Sequence, residues 1–399
     1  MEQILTARNI DVGYQNKAVI SGVDIHAMKG QVICLLGPNG AGKSTILRTL
    51  SGLLAPVSGT VEISGTDIKN MKKKALAQKL SLVLTDSVAP ALTTVYQLLA
   101  LGRTPYTDFL GRLSEEDRAI IEESLEVVGA SNLRERFYCE LSDGEKQKVM
   151  IARALVQEPE LIILDEPTSH LDIKHKVEVI RVLQKLSNER HITCILSLHD
   201  IDLALKGCQT VLLVHKGQVV AQGTPEDVVK DGMIQQLYEI HDAKYNERYG
   251  SIELKGCDRN DIFIIGGNCT GTKLYRALSR KGFGLTSGVI HQNDGDYPIA
   301  ASICSQVVGE KPFEPVSTEA FEQARKLMEG AEYVIDSGFP VGSGNRENLH
   351  LMEEAVKLHK TVFSLRSFED CRSYYGQQAE QICSVTCMAD IFEQISQKR

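Results

Sequence analysis

Short apolar runs alternate with longer amphipathic stretches along the first part of the chain, up to about residue 240. Residues 32–36 and 161–164 are unbroken apolar runs whose length suits buried strands, and the stretches between such runs have helical spacing. Strands that alternate with helices in this way predict an α/β fold around a largely parallel sheet.

Two segments depart from this alternation. Apolar residues recur with period two in residues 4–10 and 19–25, which predicts an antiparallel β-layer ahead of the main sheet. Residues 88–157 are predicted to be mostly helical, and Ser114 followed by Asp117 fits a capping box that begins one of these helices.

A second α/β region follows. Residues 246–258 are polar and carry no sustained periodicity, so we predict a linker there, between one domain at 1–245 and another at 259–399. Beyond the linker the alternation resumes, which predicts a smaller Rossmann-like domain. The predicted strands are 262–265, 288–291, 333–335 and 361–365, and the predicted helices are 273–280, 318–329 and 349–358.

Composition narrows the classes of function. The 399 residues are 43% hydrophobic and 24% charged, as in ordinary globular proteins, and the formal net charge of −8 provides no general attraction to nucleic acid or anionic lipid. No run of about 18 apolar residues occurs, and the beginning of the chain lacks the basic and apolar regions of a secretion signal. We therefore expect an intracellular protein in which phosphate recognition is local.

A glycine-rich turn lies between the apolar run at 32–36 and a helical stretch. Small residues at such a turn let backbone N–H groups surround phosphates, and the helix N-terminus adds a favourable field. The pattern predicts a triphosphate site in which Lys43 reaches the β- and γ-phosphates and the Ser44 hydroxyl binds Mg²⁺. The turn reads Gly37-Pro38-Asn39-Gly40-Ala41-Gly42-Lys43-Ser44-Thr45.

An acidic pair follows the buried strand predicted at 161–164. Ligands of open α/β sheets lie beyond the carboxyl ends of the strands, which is also where the glycine-rich turn opens. We predict that Asp165 holds Mg²⁺ and that Glu166 orients the attacking water or accepts its proton.

About the first 240 residues resemble the nucleotide-binding subunit of ATP-binding cassette (ABC) transporters. Beyond the loop and the acidic pair, the resemblance includes Leu141-Ser142-Asp143-Gly144-Glu145, which is similar to the family signature, and Ser197-Leu198-His199-Asp200, which matches the segment of the switch histidine. It implies that the nucleotide is ATP, that Mg²⁺ is the cofactor and that the reaction is ATP hydrolysis.

The resemblance also assigns residues to the nucleotide. It implies that Tyr14 stacks on adenine, that His199 acts as the switch histidine, and that Ser142 and Gly144 contact the γ-phosphate bound to the opposite subunit. Because the chain has one phosphate loop and one signature, the resemblance implies a homodimer. Without the family resemblance, the residues alone predict that Ser142 and Glu145 form a capping box that begins a helix.

The chain departs from the family in two motifs. Asp86 stands where the family has a glutamine that touches Mg²⁺ and the attacking water; an aspartate still binds Mg²⁺, but it is shorter and cannot donate as an amide does. In the signature, Asp143 and Glu145 bring negative charge near a phosphate. Asp143 costs some electrostatic stabilisation unless it points away or is neutralised by Lys146 or Lys148. We expect ATPase activity with altered coupling.

Residues 99–106 and 111–117 resemble the importer branch for iron-siderophores, haem and cobalamin. The resemblance implies two permease subunits as partners, a binding protein that delivers substrate from outside, no nucleic acid, and a location on the inner face of the cell membrane. Two alternatives stay open. One is a soluble cassette ATPase that acts on nucleic acid, and the other is a regulatory ATPase that senses a small ligand through its C-terminal domain.

Polar or glycine-rich loops follow three predicted strands of the second domain, at residues 266–272, 291–296 and 337–344. Three such strand ends are expected to share a crevice. The first loop, which precedes a predicted helix, has a composition that suits a phosphate or another anion. A small-ligand sensing site and a structural extension that braces a dimer both fit this pattern.

Overall fold

The computed structural model describes residues 2–84, 92–108, 111–230, 232–246 and 248–398. The chain forms two compact units, Met1–Glu239 and Ile240–Arg399. The α/β fold predicted for the first unit and the smaller Rossmann-like fold predicted for the second are both confirmed.

The first unit contains ten of the described strands and nine of the described helices. The strands are β1 (Gln3–Tyr14), β2 (Lys17–Met28), β3 (Val32–Leu36), β4 (Ser58–Ile63), β5 (Thr66–Asp67), β6 (Leu80–Val83), β7 (Leu161–Leu164), β8 (Thr193–Ser197), β9 (Thr210–His215) and β10 (Gln218–Gly223). The helices are α1 (Lys43–Leu50), α2 (Lys73–Lys79), α3 (Val95–Gly102), α4 (Glu115–Val127), α5 (Asp143–Leu155), α6 (Ile173–Arg190), α7 (Ile201–Gly207), α8 (Pro225–Val228) and α9 (Met233–Tyr238).

Two sheets make up the first unit. The antiparallel layer has the order β2-β1-β4-β5, which confirms the prediction from period two. The core sheet has the order β10-β9-β3-β8-β7-β6, in which only β10 runs antiparallel to its neighbour. Every residue of β3, β7 and β8 is buried, because the sheet is covered on both faces, and this explains their unbroken apolar sequences.

The segment between β6 and β7 carries α3, α4 and α5, as predicted. The capping box at the start of α4 is confirmed: Asp117 N donates to Ser114 Oγ at 3.1 Å, and Ser114 N donates to Asp117 Oδ2 at 2.8 Å. The buried Arg103 joins the ends of three helices, since its guanidinium donates to Asp117 Oδ1 at 2.7 Å, to the Val156 carbonyl at 2.6 Å and to Glu158 Oε2 at 2.7 Å.

The second unit begins earlier in the chain than predicted. The stretch at 246–258, predicted as a linker, contains the end of one hairpin strand, the whole of its partner strand and the start of a sheet strand. A buried ion pair explains the error: Glu253 is 4% exposed and is bonded to the guanidinium of Arg276, so a position that faces inward carries a charged residue. The polar sequence concealed the alternation of the hairpin.

The second unit is built from a hairpin and a parallel sheet. The strands are β11 (Ala243–Asn246), β12 (Ser251–Leu254), β13 (Cys257–Ile265), β14 (Gly284–His291), β15 (Gln306–Glu310), β16 (Tyr333–Asp336), β17 (Thr361–Ser364) and β18 (Cys383–Ser384). The helices are α10 (Thr272–Arg280), α11 (Asp296–Ile303), α12 (Thr318–Gly330), α13 (Asn348–Lys357), α14 (Phe368–Tyr375) and α15 (Met388–Lys398). Strands β15 and β18 and helices α11, α14 and α15 were not predicted.

The parallel sheet of the second unit has the order β15-β14-β13-β16-β17-β18. Alternate residues of β13 face two separate hydrophobic clusters: Phe263 and Ile265 face one, and Ile262 and Ile264 face the other. Helices therefore cover both faces, and the strand order reverses between β13 and β16. This is the doubly wound arrangement in which a crevice forms beyond the carboxyl ends of those two strands.

The Arg103 network generates a prediction about stability. Replacing Arg103 by Met leaves the carboxylate of Asp117 buried without its cation, which should lower the free energy of unfolding by about 3–5 kcal/mol. Urea unfolding followed by circular dichroism measures this change. Arg118→Met is the matched control, because Arg118 is exposed and its Nε lies 3.8 Å from Oε1 of Glu115. This change should lower the free energy of unfolding by less than about 1 kcal/mol. Equal decreases in the free energy of unfolding of the two variants would contradict the proposed contribution of the Arg103 network to stability.

Candidate functional site

The glycine-rich loop joins β3 to α1, as the sequence predicts. Gly40 and Gly42 have φ angles of 77° and 99°, which side chains rarely adopt, and a Cβ at Gly42 would lie 2.5 Å from Ile20. The Nζ atom of the buried Lys43 donates to the carbonyls of Gly37 at 2.7 Å and Pro38 at 3.0 Å. The ammonium group is thus held against the loop.

A shared carboxylate oxygen links the ends of three core strands. Oδ1 of Asp165, which follows β7, accepts hydrogen bonds from Ser44 Oγ at 3.0 Å and from Ser197 Oγ at 2.7 Å. Ser44 follows the loop after β3, and Ser197 is the last residue of β8. A carboxylate beside a hydroxyl is an oxygen donor set of the kind that Mg²⁺ prefers, so the residues present fit this ion. Asp86, predicted as a further ligand, lies outside the described residues.

Glu166 and His199 are brought together beside this carboxylate. Nε2 of His199 lies 2.5 Å from Oε1 of Glu166, and Ser169 Oγ donates to Oε2 of Glu166 at 3.0 Å. The backbone N–H of Glu166 donates to Ser197 Oγ at 2.9 Å. Both oxygens of the Glu166 carboxylate are therefore oriented by neighbouring side chains.

Neighbouring groups set the charge of this centre. Partial burial raises the pKa of Glu166, but hydrogen bonds from His199 and Ser169 and the charges of His199 and Lys43 outweigh it, so the pKa lies below its usual value. Burial lowers the pKa of Lys43, and the carboxylates of Glu166 and Asp165 oppose that change. Glu166 is consequently an ionised carboxylate at neutral pH, as a proton acceptor must be.

One cleft of about 340 Å³ contains most of the predicted site residues. Tyr14, which is 46% exposed, lines the same cleft as the glycine-rich loop, Glu166 and His199. Pro38 and Ala41 line a neighbouring cleft of about 330 Å³, beside the end of α9. The residues of the first cleft are Tyr14, Val19, Asn39, Gly40, Gly42, Lys43, Ser44, Thr45, Glu166 and His199.

Sequence reasoning missed two contributors. Ser197 bonds to both Asp165 and Glu166, and Val19 lines the cleft from β2. A hydroxyl at the end of a wholly apolar strand was a usable signal for Ser197, because a buried polar side chain requires a partner. No sequence signal distinguishes Val19 from its apolar neighbours.

Ser142 and Gly144 do not line this cleft; they lie at the start of α5. The predicted capping box is confirmed, with Glu145 N donating to Ser142 Oγ at 3.3 Å and Ser142 N donating to Glu145 Oε2 at 2.8 Å. A Cβ at Gly144 would lie 2.4 Å from the ring of His175 on α6.

Asp143 has a positively charged partner, one of the two lysines considered from the sequence. Nζ of Lys146 lies 3.6 Å from Oδ1 of Asp143, whereas Lys148 pairs with Glu178 at 2.6 Å. Glu145 is likewise paired, with Arg136 at 3.3 Å. The two acidic residues of the signature therefore each have a positively charged neighbour.

In the second unit the three predicted loops do share a crevice, but the expectation that the first loop suits an anion needs correction. Its backbone amides already hold carboxylates of the chain itself. Gly267 N and Gly271 N donate to Asp296 Oδ2 at 2.9 and 2.8 Å, and Asn268 N donates to Asp294 Oδ2 at 2.6 Å. The amide geometry suits an anion, and the protein supplies that anion itself.

Across the described ranges, each helix is too short or too polar to cross a lipid bilayer. Two families match the chain. The ABC transporter family matches residues 20–169, and the MJ0874 family matches residues 285–395 in the second unit.

Similar proteins are known from several organisms. An uncharacterised ABC transporter ATP-binding protein of Methanocaldococcus jannaschii is 43% identical over 287 residues, which cover 71% of this chain and 99% of the relative. The achromobactin transport ATP-binding protein of Dickeya dadantii is 36% identical, with 59% of this chain and 88% of the relative covered. The cobalamin import ATP-binding protein of Halobacterium salinarum is 28% identical over 350 residues, which cover 86% of this chain and 87% of the relative.

A solved structure supports the same assignment. The ADP conformation of an ATP-binding cassette of an ABC transporter superposes with a TM-score of 0.55 at 25% identity, and the match covers 60% of this chain and 100% of that one. Together with the phosphate loop and the relative that is matched over almost its whole length, this shows that the chain belongs to the ATP-binding subunits of ABC transporters, which bind ATP with Mg²⁺ and hydrolyse the nucleotide.

Proposed function

We propose that this chain is the ATP-hydrolysing subunit of an importer for cobalamin or for an iron chelate such as a siderophore or haem. The relative from Dickeya is named for achromobactin transport and the relative from Halobacterium for cobalamin import. The 350 aligned residues of the Halobacterium relative exceed the 239 residues of the first unit. This match therefore extends into the second unit, which favours cobalamin as the cargo.

The catalytic part of the proposal rests on one observation: the ionised Glu166 lies in the same cleft as the phosphate loop, held by His199. Lys43 and the loop amides bind the phosphates, and Tyr14 stacks on the adenine. Glu166 orients the attacking water and accepts its proton, while His199 keeps the carboxylate in place. Ser44 and Asp165 would hold Mg²⁺, which neutralises phosphate charge when bound.

The position of the signature supports a homodimer. Ser142 and Gly144 are absent from the lining of the cleft in their own chain, so a γ-phosphate that they contact would belong to nucleotide bound by another copy. A second copy of the chain completes each site by presenting its α5 to the γ-phosphate bound to the first. Two permease subunits would bind this dimer at the inner face of the membrane, and a substrate-binding protein would supply the cargo from outside.

A regulatory ATPase that senses a small ligand is the second candidate. The crevice at the carboxyl ends of the strands in the second unit favours a ligand-binding role for this unit over a structural role in bracing a dimer. A nucleic acid partner is disfavoured by the net charge of −8.

The cargo is tested by purifying the chain together with any polytopic permease that proves to be encoded beside it and measuring ATP hydrolysis in lipid vesicles. We expect cobalamin, delivered with its binding protein, to raise hydrolysis more than a ferric siderophore does. Stimulation by the siderophore alone would reassign the cargo. Failure of the chain to purify with any permease would favour the regulatory candidate.

Replacing Glu166 by Gln tests the proton acceptor. An amide cannot accept the proton, so hydrolysis should fall by about 10²–10⁴-fold, while ATP binding persists and an ATP-bound dimer accumulates on size-exclusion chromatography. Glu189→Gln, a change at an exposed carboxylate of α6, is the control and should keep the parent rate. Turnover near the parent rate in Glu166→Gln would remove this residue from the mechanism.

The pH dependence of hydrolysis tests the role of His199. The hydrogen bond from His199 lowers the pKa of Glu166, so His199→Ala should raise that pKa. Since activity is lost as pH falls through the pKa of the acceptor, the acidic limb of the kcat profile should move to higher pH. His26→Ala, which changes an exposed histidine, should leave the limb in place. An unmoved limb in His199→Ala would show that His199 does not set this ionisation.

A further inference from the structure

A cleft of about 580 Å³ opens where the strand order of the second unit reverses. Its volume falls within the range of about 300–1,000 Å³ that is usual for small-ligand sites. Loops that follow β13, β14, β15 and β16 all contribute to its wall. The lining residues are Asn268, His291, Asn293, Asp294, Phe313, Pro315, Pro340, Val341, Gly342, Ser343, Gly344 and Asn345.

Hydrogen bonds hold the wall of the cleft that follows β16. The fully buried Asp336 accepts hydrogen bonds from Arg366 Nε at 2.7 Å and from the Tyr375 hydroxyl at 3.0 Å, and Arg366 also donates to the Phe339 carbonyl at 2.6 Å. Further along the loop, Asn345 bonds to Gly342 N at 2.7 Å. A preformed wall reduces the entropy that binding would otherwise cost.

The electrostatics of this cleft disfavour a phosphate. In doubly wound nucleotide sites the pyrophosphate rests on the amides after the first strand. Here those amides donate to Asp294 and Asp296, and Thr272 Oγ1 adds a hydrogen bond to Asp296 Oδ1 at 2.7 Å. The lining residues, all within the described ranges, include no lysine or arginine, so a phosphate would meet the charge of Asp294 without a compensating cation.

The rim of the cleft is apolar and aromatic. Phe313 is 91% exposed and stands at this rim with Pro315 and Pro340. An exposed ring beside a cleft offers a face on which a planar ring can stack. The side chains of Asp294, Asn268 and Asn293 line the same cleft and provide hydrogen-bonding groups for hydroxyls. The Asp294 carboxylate already accepts from the backbone N–H groups of Asn268 and Asp296, and a carboxylate has lone pairs for further donors.

We propose that this cleft binds a nucleoside without its phosphate. The base stacks on Phe313 and the ribose hydroxyls donate to Asp294. The charge of Asp294, with no lysine or arginine among the described lining residues, disfavours the phosphorylated forms. The proposal concerns the second unit alone and stands whether or not the cargo of the transporter is the one proposed above. It makes the second unit a sensor of nucleosides rather than a second nucleotide site.

The test uses the full-length protein saturated with Mg²⁺ and ADP, so that the site in the first unit is filled. Adenosine and AMP are titrated separately by isothermal calorimetry. We expect adenosine to bind and AMP to bind at least about tenfold more weakly, because of the charge of Asp294. Equal or tighter binding of AMP would overturn the proposal, and so would the absence of adenosine binding.

Two variants locate the binding. Phe313→Ala should weaken adenosine binding by about tenfold through loss of the stack, whereas Phe368→Ala, which removes another exposed ring of the same unit, should leave it unchanged. Asp294→Asn should bring the affinity for AMP closer to that for adenosine. A general loss of structure would not change this ratio. Adenosine binding that is insensitive to Phe313→Ala would contradict the assigned cleft.

Discussion

The site of the first unit depends on one carboxylate oxygen shared by three strand ends. Asp165 Oδ1 accepts from Ser44 and Ser197, and therefore fixes the loop after β3 and the end of β8 relative to β7. A carboxylate that is only 6% exposed would destabilise the fold without such donors. The requirement to satisfy this buried group is thus also what aligns the phosphate loop with Glu166.

The parts of the structure that follow from local rules were predictable from the sequence. Apolar runs identified β3 and β7 because both faces of these strands are covered, and the loop at 37–45 was recognisable because Gly40 and Gly42 adopt conformations that few other residues tolerate. Glu166 followed from its place after a buried strand. These features depend on residues close together in the chain.

The parts that depend on distant partners were not predictable. The hairpin at the start of the second unit was missed because Glu253 is buried by pairing with Arg276, which lies far along the sequence. The sequence also did not reveal that the backbone amides of the loop after β13 donate to carboxylates of the chain, because these carboxylates, Asp294 and Asp296, come from a later segment. In both cases a charged residue is buried by a partner that single-sequence patterns do not reveal. As a result, two sheets with the same arrangement of strand ends differ in their electrostatics: Lys43 lies with Glu166 in the cleft of the first unit, whereas the described residues that line the cleft of the second unit include Asp294 but no lysine or arginine.

The glycine of the signature has a role within its own subunit. Any side chain at Gly144 would collide with the ring of His175, because a Cβ there lies 2.4 Å from it, so the residue sets how closely α5 approaches α6. A larger residue at this position would alter helix spacing in an isolated protomer, before any partner is present. Defects of such variants would therefore combine a folding effect with an assembly effect, and separating the two requires a measurement on the monomer.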